Sequence, residues 1–127
     1  MEAKELRIGN NILFSDDSTI FEVVEIDKNG LHVKNDNEET WIELENFEGI
    51  KLTEEILMRL GFERNMYPLY SKDDFVYNIF NKQVAINKQQ ITNVDICYLH
   101  ELQNLYYSLT KKELTLKPLL LPHKTII

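Results

Sequence analysis

Tyr98-Leu-His-Glu-Leu-Gln-Asn-Leu-Tyr-Tyr-Ser-Leu-Thr110 is the stretch whose reading decides the fold. At about 100° per residue, Tyr98, Leu99, Leu102, Leu105, Tyr106 and Leu109 fall within an arc of about 120°. That is the width of a core-facing helical stripe. Each leucine buried there contributes roughly 1.5–3 kcal/mol, so this helix is expected to anchor the fold. The other face carries His100, Gln103, Asn104, Tyr107 and Ser108. His100, Gln103 and Tyr107 follow one another at spacings of three and four and line one edge of the helix. Such a row suits either an ordinary polar face or a contact with a protein or a stacked base.

Upstream, a shorter helix has both ends written in sequence. Thr53 is a good N-cap, and Glu54 and Glu55 place negative charge in the first turn. Leu52 and Leu57 occupy the staple positions. Gly61 can adopt the left-handed conformation that ends a helix, with Phe62 folding back on Leu57. The spacing therefore predicts a helix over 54–60, too short to be stable unless it packs on something else.

The rest reads as strands. Ile12 and Phe14 suggest a first short strand, followed by a turn at Asp16-Asp-Ser18. Ile20–Ile26 is rich in β-branched residues, and Leu31, Val33 and Asn35 follow with period two. Asn29-Gly30 between them tolerates φ > 0, which favours a hairpin. Asn35-Asp-Asn-Glu-Glu39 is a polar turn before a strand at Thr40–Leu44. Tyr67–Tyr70, Phe75–Phe80 and Gln83–Asn87 form a second set, with turns at Ser71–Asp74 and Asn81-Lys82. Ile91 can open one more extended segment. The long helix is expected to begin near Asp95. Thr110-Lys-Lys-Glu113 fits a capping box for a further helical turn, and Pro118 and Pro122 bracket an apolar tail.

The expected fold class is therefore α+β. A small antiparallel sheet, SH3-like or a meander, is joined by a short helix, a second hairpin and a C-terminal amphipathic helix. The 127 residues suit one domain, with an acidic β part over 1–52 and the helix, hairpin and C-terminal helix over 53–127. Met1–Ile56 carries 15 acidic and 5 basic residues (net −10), and Leu57–Ile127 carries 6 and 9 (net +3). An acidic first half repels phosphate and argues against DNA binding. It is either a solvated face that aids solubility or a surface that attracts a basic partner. On the second reading, Asp36, Glu38, Glu39, Trp41 and Glu43 would form a partner-binding edge, joined by His100, Gln103 and Tyr107. Met-Glu-Ala-Lys-Glu at the start is no secretory segment, and no apolar run approaches about 18 residues. A cytoplasmic location without membrane contact follows as the expectation.

Chemistry is sparse. His32, His100 and His123 have no zinc-like spacing to one another or to Cys97. Cys97 is expected to be a plain buried thiol. A Cys97–His100 pair lacks the basic surroundings that would lower the thiol pKa. Asp16-Asp17 and Asp73-Asp74 are adjacent in turns rather than convergent from different elements. Asp27-x-Asn29-Gly30 opens like a calcium loop, but its glycine is misplaced and no glutamate closes it. Four glycines leave no phosphate-cradling loop. The expectation is a protein without catalytic activity or cofactor.

Three blocks carry a resemblance. Leu6-Arg-Ile-Gly-Asn10, Leu52-Thr-Glu-Glu55 with Leu60-Gly-Phe62, and His100-x-Leu-Gln-Asn-Leu-Tyr106-x-x-Leu109-Thr110 with Glu113-Leu114 are similar to a pattern in small phage and prophage proteins of Bacteroidota. The family often has glycine after Thr110, where this chain has Lys111. The resemblance implies a viral origin and a shared fold, and it supplies no functional residues. It suggests a phage-encoded inhibitor of bacterial antiviral defence. The most concrete form is an anti-CRISPR protein binding an RNA-guided nuclease, by analogy with the small inhibitor of the type VI-B enzyme. A sponge for cyclic nucleotide immune signals, with Arg59, Arg64 and Lys72 on the phosphates, is the alternative. A small accessory or structural phage protein is a third.

Overall fold

The computed structural model describes residues 5–14, 19–87, 89–90 and 95–117. The expected turn at Asp16–Ser18, the segment opened by Ile91 and the apolar tail from Pro118 lie outside the described residues.

The described residues build two five-stranded antiparallel sheets and two helices. The first sheet contains β1 (Asn11–Phe14), β2 (Ile20–Asp27), β3 (Gly30–Lys34), β4 (Glu39–Ile42) and β5 (Phe47–Glu48), in the order β4-β3-β2-β1-β5. The return of β5 to β1 curls this sheet into a half-barrel, so the fold class is the small α+β arrangement expected. Period-two alternation fills its inside with Ile12, Phe21, Val23, Leu31, Val33, Ile42 and Phe47. A bulge between Val23 and Glu25 strengthens the curl.

Helix α1 (Glu54–Arg59) follows. Thr53 Oγ1 accepts the Ile56 N–H at 3.2 Å. Gly61 sits at φ 94° and Phe62 N–H donates to the Leu57 carbonyl, so the helix closes as its sequence implies. The second sheet contains β6 (Glu63–Met66), β7 (Leu69–Lys72), β8 (Phe75–Asn78), β9 (Gln83–Ile86) and β10 (Gln89–Gln90), in the order β10-β9-β8-β7-β6. Strand β6 has no sequence signal, because all four of its residues are exposed on an edge. Its presence moves the next strand two residues beyond the expected Tyr67 start.

Helix α2 (Leu99–Thr110) starts four residues after Asp95. Glu101 sets that start, because its carboxylate accepts the N–H groups of both Cys97 and Tyr98. The main core lies between α2, α1 and the second sheet, with Leu57, Phe62, Phe75, Tyr77, Leu99, Leu102 and Tyr106. Strand β1 serves both cores, since Ile12 points into the half-barrel and Leu13 packs on the main core.

Three local expectations are corrected. The first hairpin turns at Lys28-Asn29, neither with positive φ, and Gly30 already pairs with Asp27. Glycine is needed there for closeness, because a Cβ would lie 2.9 Å from the Ile42 carbonyl oxygen. Lys82, not Asn81, takes the left-handed position in the β8–β9 turn, while Asn78 and Asn81 cap N–H groups of that turn. Among the described residues, no helical turn follows Thr110. Lys111 ends α2 at φ 63°, and Glu113 is used instead by Arg7.

Candidate interaction surface

The residues singled out from sequence divide into two environments. His100 and Gln103 are buried, at 0% and 1% exposure, which corrects their assignment to a partner-binding face. Conversely, Leu109 of the expected stripe is exposed and Leu105 is only half-buried. The buried arc of α2 is displaced around the helix towards His100 and Gln103. The cause is strand β1, which approaches α2 from that side and supplies hydrogen bonds.

Those bonds form a polar seam. The Gln103 amide donates to Asn11 Oδ1 at 3.0 Å and to the Leu114 carbonyl at 2.9 Å, and it accepts the Asn11 N–H at 3.0 Å. Asn10, also fully buried, donates to Asn104 Oδ1 at 2.9 Å. Arg7 donates through Nε to Asn104 at 3.1 Å and pairs with Glu113 at 2.7 Å. Tyr107 lies 4.4 Å beneath the Arg7 guanidinium, so its ring is occupied within the molecule. Buried amides are tolerated because their donors and acceptors are met. His100 is the exception: Nε2 lies 3.4 Å from Glu5, its ring stacks near Tyr98, and Nδ1 has no partner among the described residues. The seam joins residues of the first and third sequence blocks, so their polar positions hold the fold together.

Asp36, Glu38, Glu39, Trp41 and Glu43 are all exposed. Strand β4, which carries Glu39 and Trp41, is an edge strand of the half-barrel. Register places Glu25, His32 and Trp41 side by side across β2, β3 and β4 on the outer face. Trp41 stacks on His32, with centroids 5.0 Å apart and planes at 12°. His32 Nε2 lies 2.7 Å from Glu39 and Nδ1 lies 3.6 Å from Glu25. A half-exposed indole is thus braced inside a set of carboxylates. Sequence reading misses His32 and Glu25 as site residues: the alternation of Leu31, Val33 and Asn35 leaves His32 on the opposite face, but nothing in the sequence gives its cross-strand partner.

The other acidic residues divide by location. Asp36 borders a cleft of about 480 Å³ with Lys34, Glu22 and Arg59, away from Trp41. Glu43 and Asp27 border a separate pocket beside Trp41.

Two of the three basic residues named for phosphate contact, Arg59 and Arg64, are engaged within the molecule. Arg59 donates to the Lys117 carbonyl and lies 3.9 Å from Glu55. Arg64 pairs with Glu54 at 3.5 Å and lies over Tyr67. Cys97 is half-buried, not buried, and makes no hydrogen bond to His100. Among the described residues, no three His, Cys, Asp or Glu side chains converge as metal ligands, and no helix is long and apolar enough to cross a membrane.

Three phenols sit in the main core. Burial raises the pKa of Tyr70, with the nearby Glu54 carboxylate adding to it. Burial also raises Tyr77, whose hydroxyl donates to the Ile96 carbonyl, with Cys97, Glu101 and Asp95 contributing. Tyr106 is raised by burial and by Asp73.

No protein-family description, curated protein or solved structure matches the chain.

Proposed function

We propose that this is a binding protein without catalytic activity, which docks the outer face of its half-barrel on a basic surface of a partner protein. The observation that carries this is the half-exposed Trp41, braced by His32 and flanked by Glu25 and Glu39. Exposed tryptophan is costly to leave in water and is enriched where proteins meet. The surrounding carboxylates speed encounter with a cationic surface and disfavour nucleic acid. Together with the sequence resemblance, this favours a phage-encoded inhibitor of a host defence protein. An RNA-guided nuclease, with its basic guide and target channel, is the concrete candidate for an anti-CRISPR role.

The test is capture of such a nuclease by the purified protein at low and high salt. Binding is expected to weaken as salt rises and to be lost when Glu25, Glu39 and Glu43 are replaced by glutamine. Complete indifference to those replacements would remove this face from the account.

A further inference from the structure

We propose that the pocket beside Trp41 seats the guanidinium of an arginine carried by the basic partner, which rests on the docking reading above. The pocket has a volume of about 300 Å³ and is lined by Asp27, Asn29, Gly30, Trp41, Ile42 and Glu43. Its two carboxylates come from different strand ends. Asp27 closes β2 and Glu43 follows β4, with β3 between them.

Gly30 lets the β4 backbone and the Trp41 ring approach β3 closely. A side chain there would lie 3.6 Å from the Trp41 ring and 2.9 Å from the Ile42 carbonyl oxygen. Bare backbone therefore lies beside the indole. Asp27 Oδ1 accepts the Asn29 N–H at 3.3 Å, which leaves its other oxygen for a ligand. The Glu43 carboxylate has no partner among the described residues. The indole is already held by the His32 stack, so little ordering is needed on binding.

A planar cation with several donors matches this shape. A guanidinium can hydrogen-bond two carboxylates while lying against an indole. An ammonium satisfies the charge but cannot stack, and an anion is repelled. The occupant is thus an arginine on a protein, not a phosphate or a nucleic acid.

Trp41 is the chain's one tryptophan, so its emission reports the pocket directly. The full chain would be titrated with a short arginine-rich peptide and with a lysine peptide of equal charge. The arginine peptide is expected to change the emission saturably, with the lysine peptide binding about tenfold more weakly. The double variant Asp27→Asn, Glu43→Gln is expected to lose about tenfold in arginine-peptide affinity with unchanged circular dichroism. Equal affinity for the two peptides, or indifference of the double variant, overturns the pocket. If Glu25→Gln with Glu39→Gln weakens binding while the pocket variant does not, docking on the face survives and the arginine seat falls. Absence of any peptide binding to the unaltered protein at low salt overturns both.

Discussion

The seam between β1 and α2 and the outer face of the half-barrel are both polar, but they use their polarity in opposite directions. In the seam, Gln103, Asn10 and Asn104 direct donors and acceptors at one another and at backbone groups. On the face, Glu25 and Glu39 brace His32, and their side chains are still more than half exposed. The difference teaches that burial here follows the supply of hydrogen-bond partners, not the residue type. Removing a buried partner leaves the others unsatisfied at about 1–3 kcal/mol for each group. Removing a surface carboxylate costs about 0–1 kcal/mol.

The interior side of this contrast is expected to break most strongly at high pH. Tyr70, Tyr77 and Tyr106 all have raised folded-state pKa values because burial disfavours the phenolate. The stability they support is present below the ordinary tyrosine value of about 10 and is lost as pH rises through the folded values. The unfolded chain releases its protons first, so stability falls with pH. Tyr77, whose shift is large, is expected to contribute most of this loss above pH ~10. Urea unfolding at rising pH checks this, and Tyr77→Phe is expected to flatten the slope. A stability curve that stays level through that range would place these phenols in water.

A smaller effect sharpens the boundary of the seam. Lys111 holds φ 63° at the end of α2, a conformation that a β-carbon disfavours by roughly 1 kcal/mol. Lys111→Gly is expected to stabilise the protein by about 0.5 kcal/mol, because glycine's freer unfolded chain takes back part of the gain. The loss of the Lys111 contact 5.9 Å above the Tyr107 ring trims it further. Thermal denaturation gives the sign directly. A loss of stability would mean that the lysine side chain matters more than the backbone strain.

The elements differ in how far they could be read in advance. Helix α1 was legible because its cap, staple and terminating glycine are local signals, and each does in the structure what its type implies. Strands β1 to β4 of the half-barrel were legible from alternation, whereas the two-residue β5 was not. Strand β6 was not, because an exposed edge strand has no buried face to impose a period. The rotation of α2 was not legible either. A helical stripe computed from apolar residues assumes that the core takes only apolar side chains, and Gln103 is buried by hydrogen bonds from residues more than 90 positions away. The acidic edge was visible as charge, whereas the Trp41–His32 stack depends on a strand register that composition does not encode.

The most direct measurement of the contrast is urea unfolding of two variants side by side. One is Gln103→Leu, in the seam. The other carries Glu25→Gln, Glu39→Gln and Glu43→Gln on the face. Gln103→Leu is expected to lose about 3 kcal/mol, because the Asn11 N–H, Asn11 Oδ1 and the Leu114 carbonyl lose their partner. The triple variant should stay within about 1 kcal/mol of the unaltered protein. A triple variant as destabilised as Gln103→Leu would contradict it, because the face would then be holding the fold and would not be free for a partner.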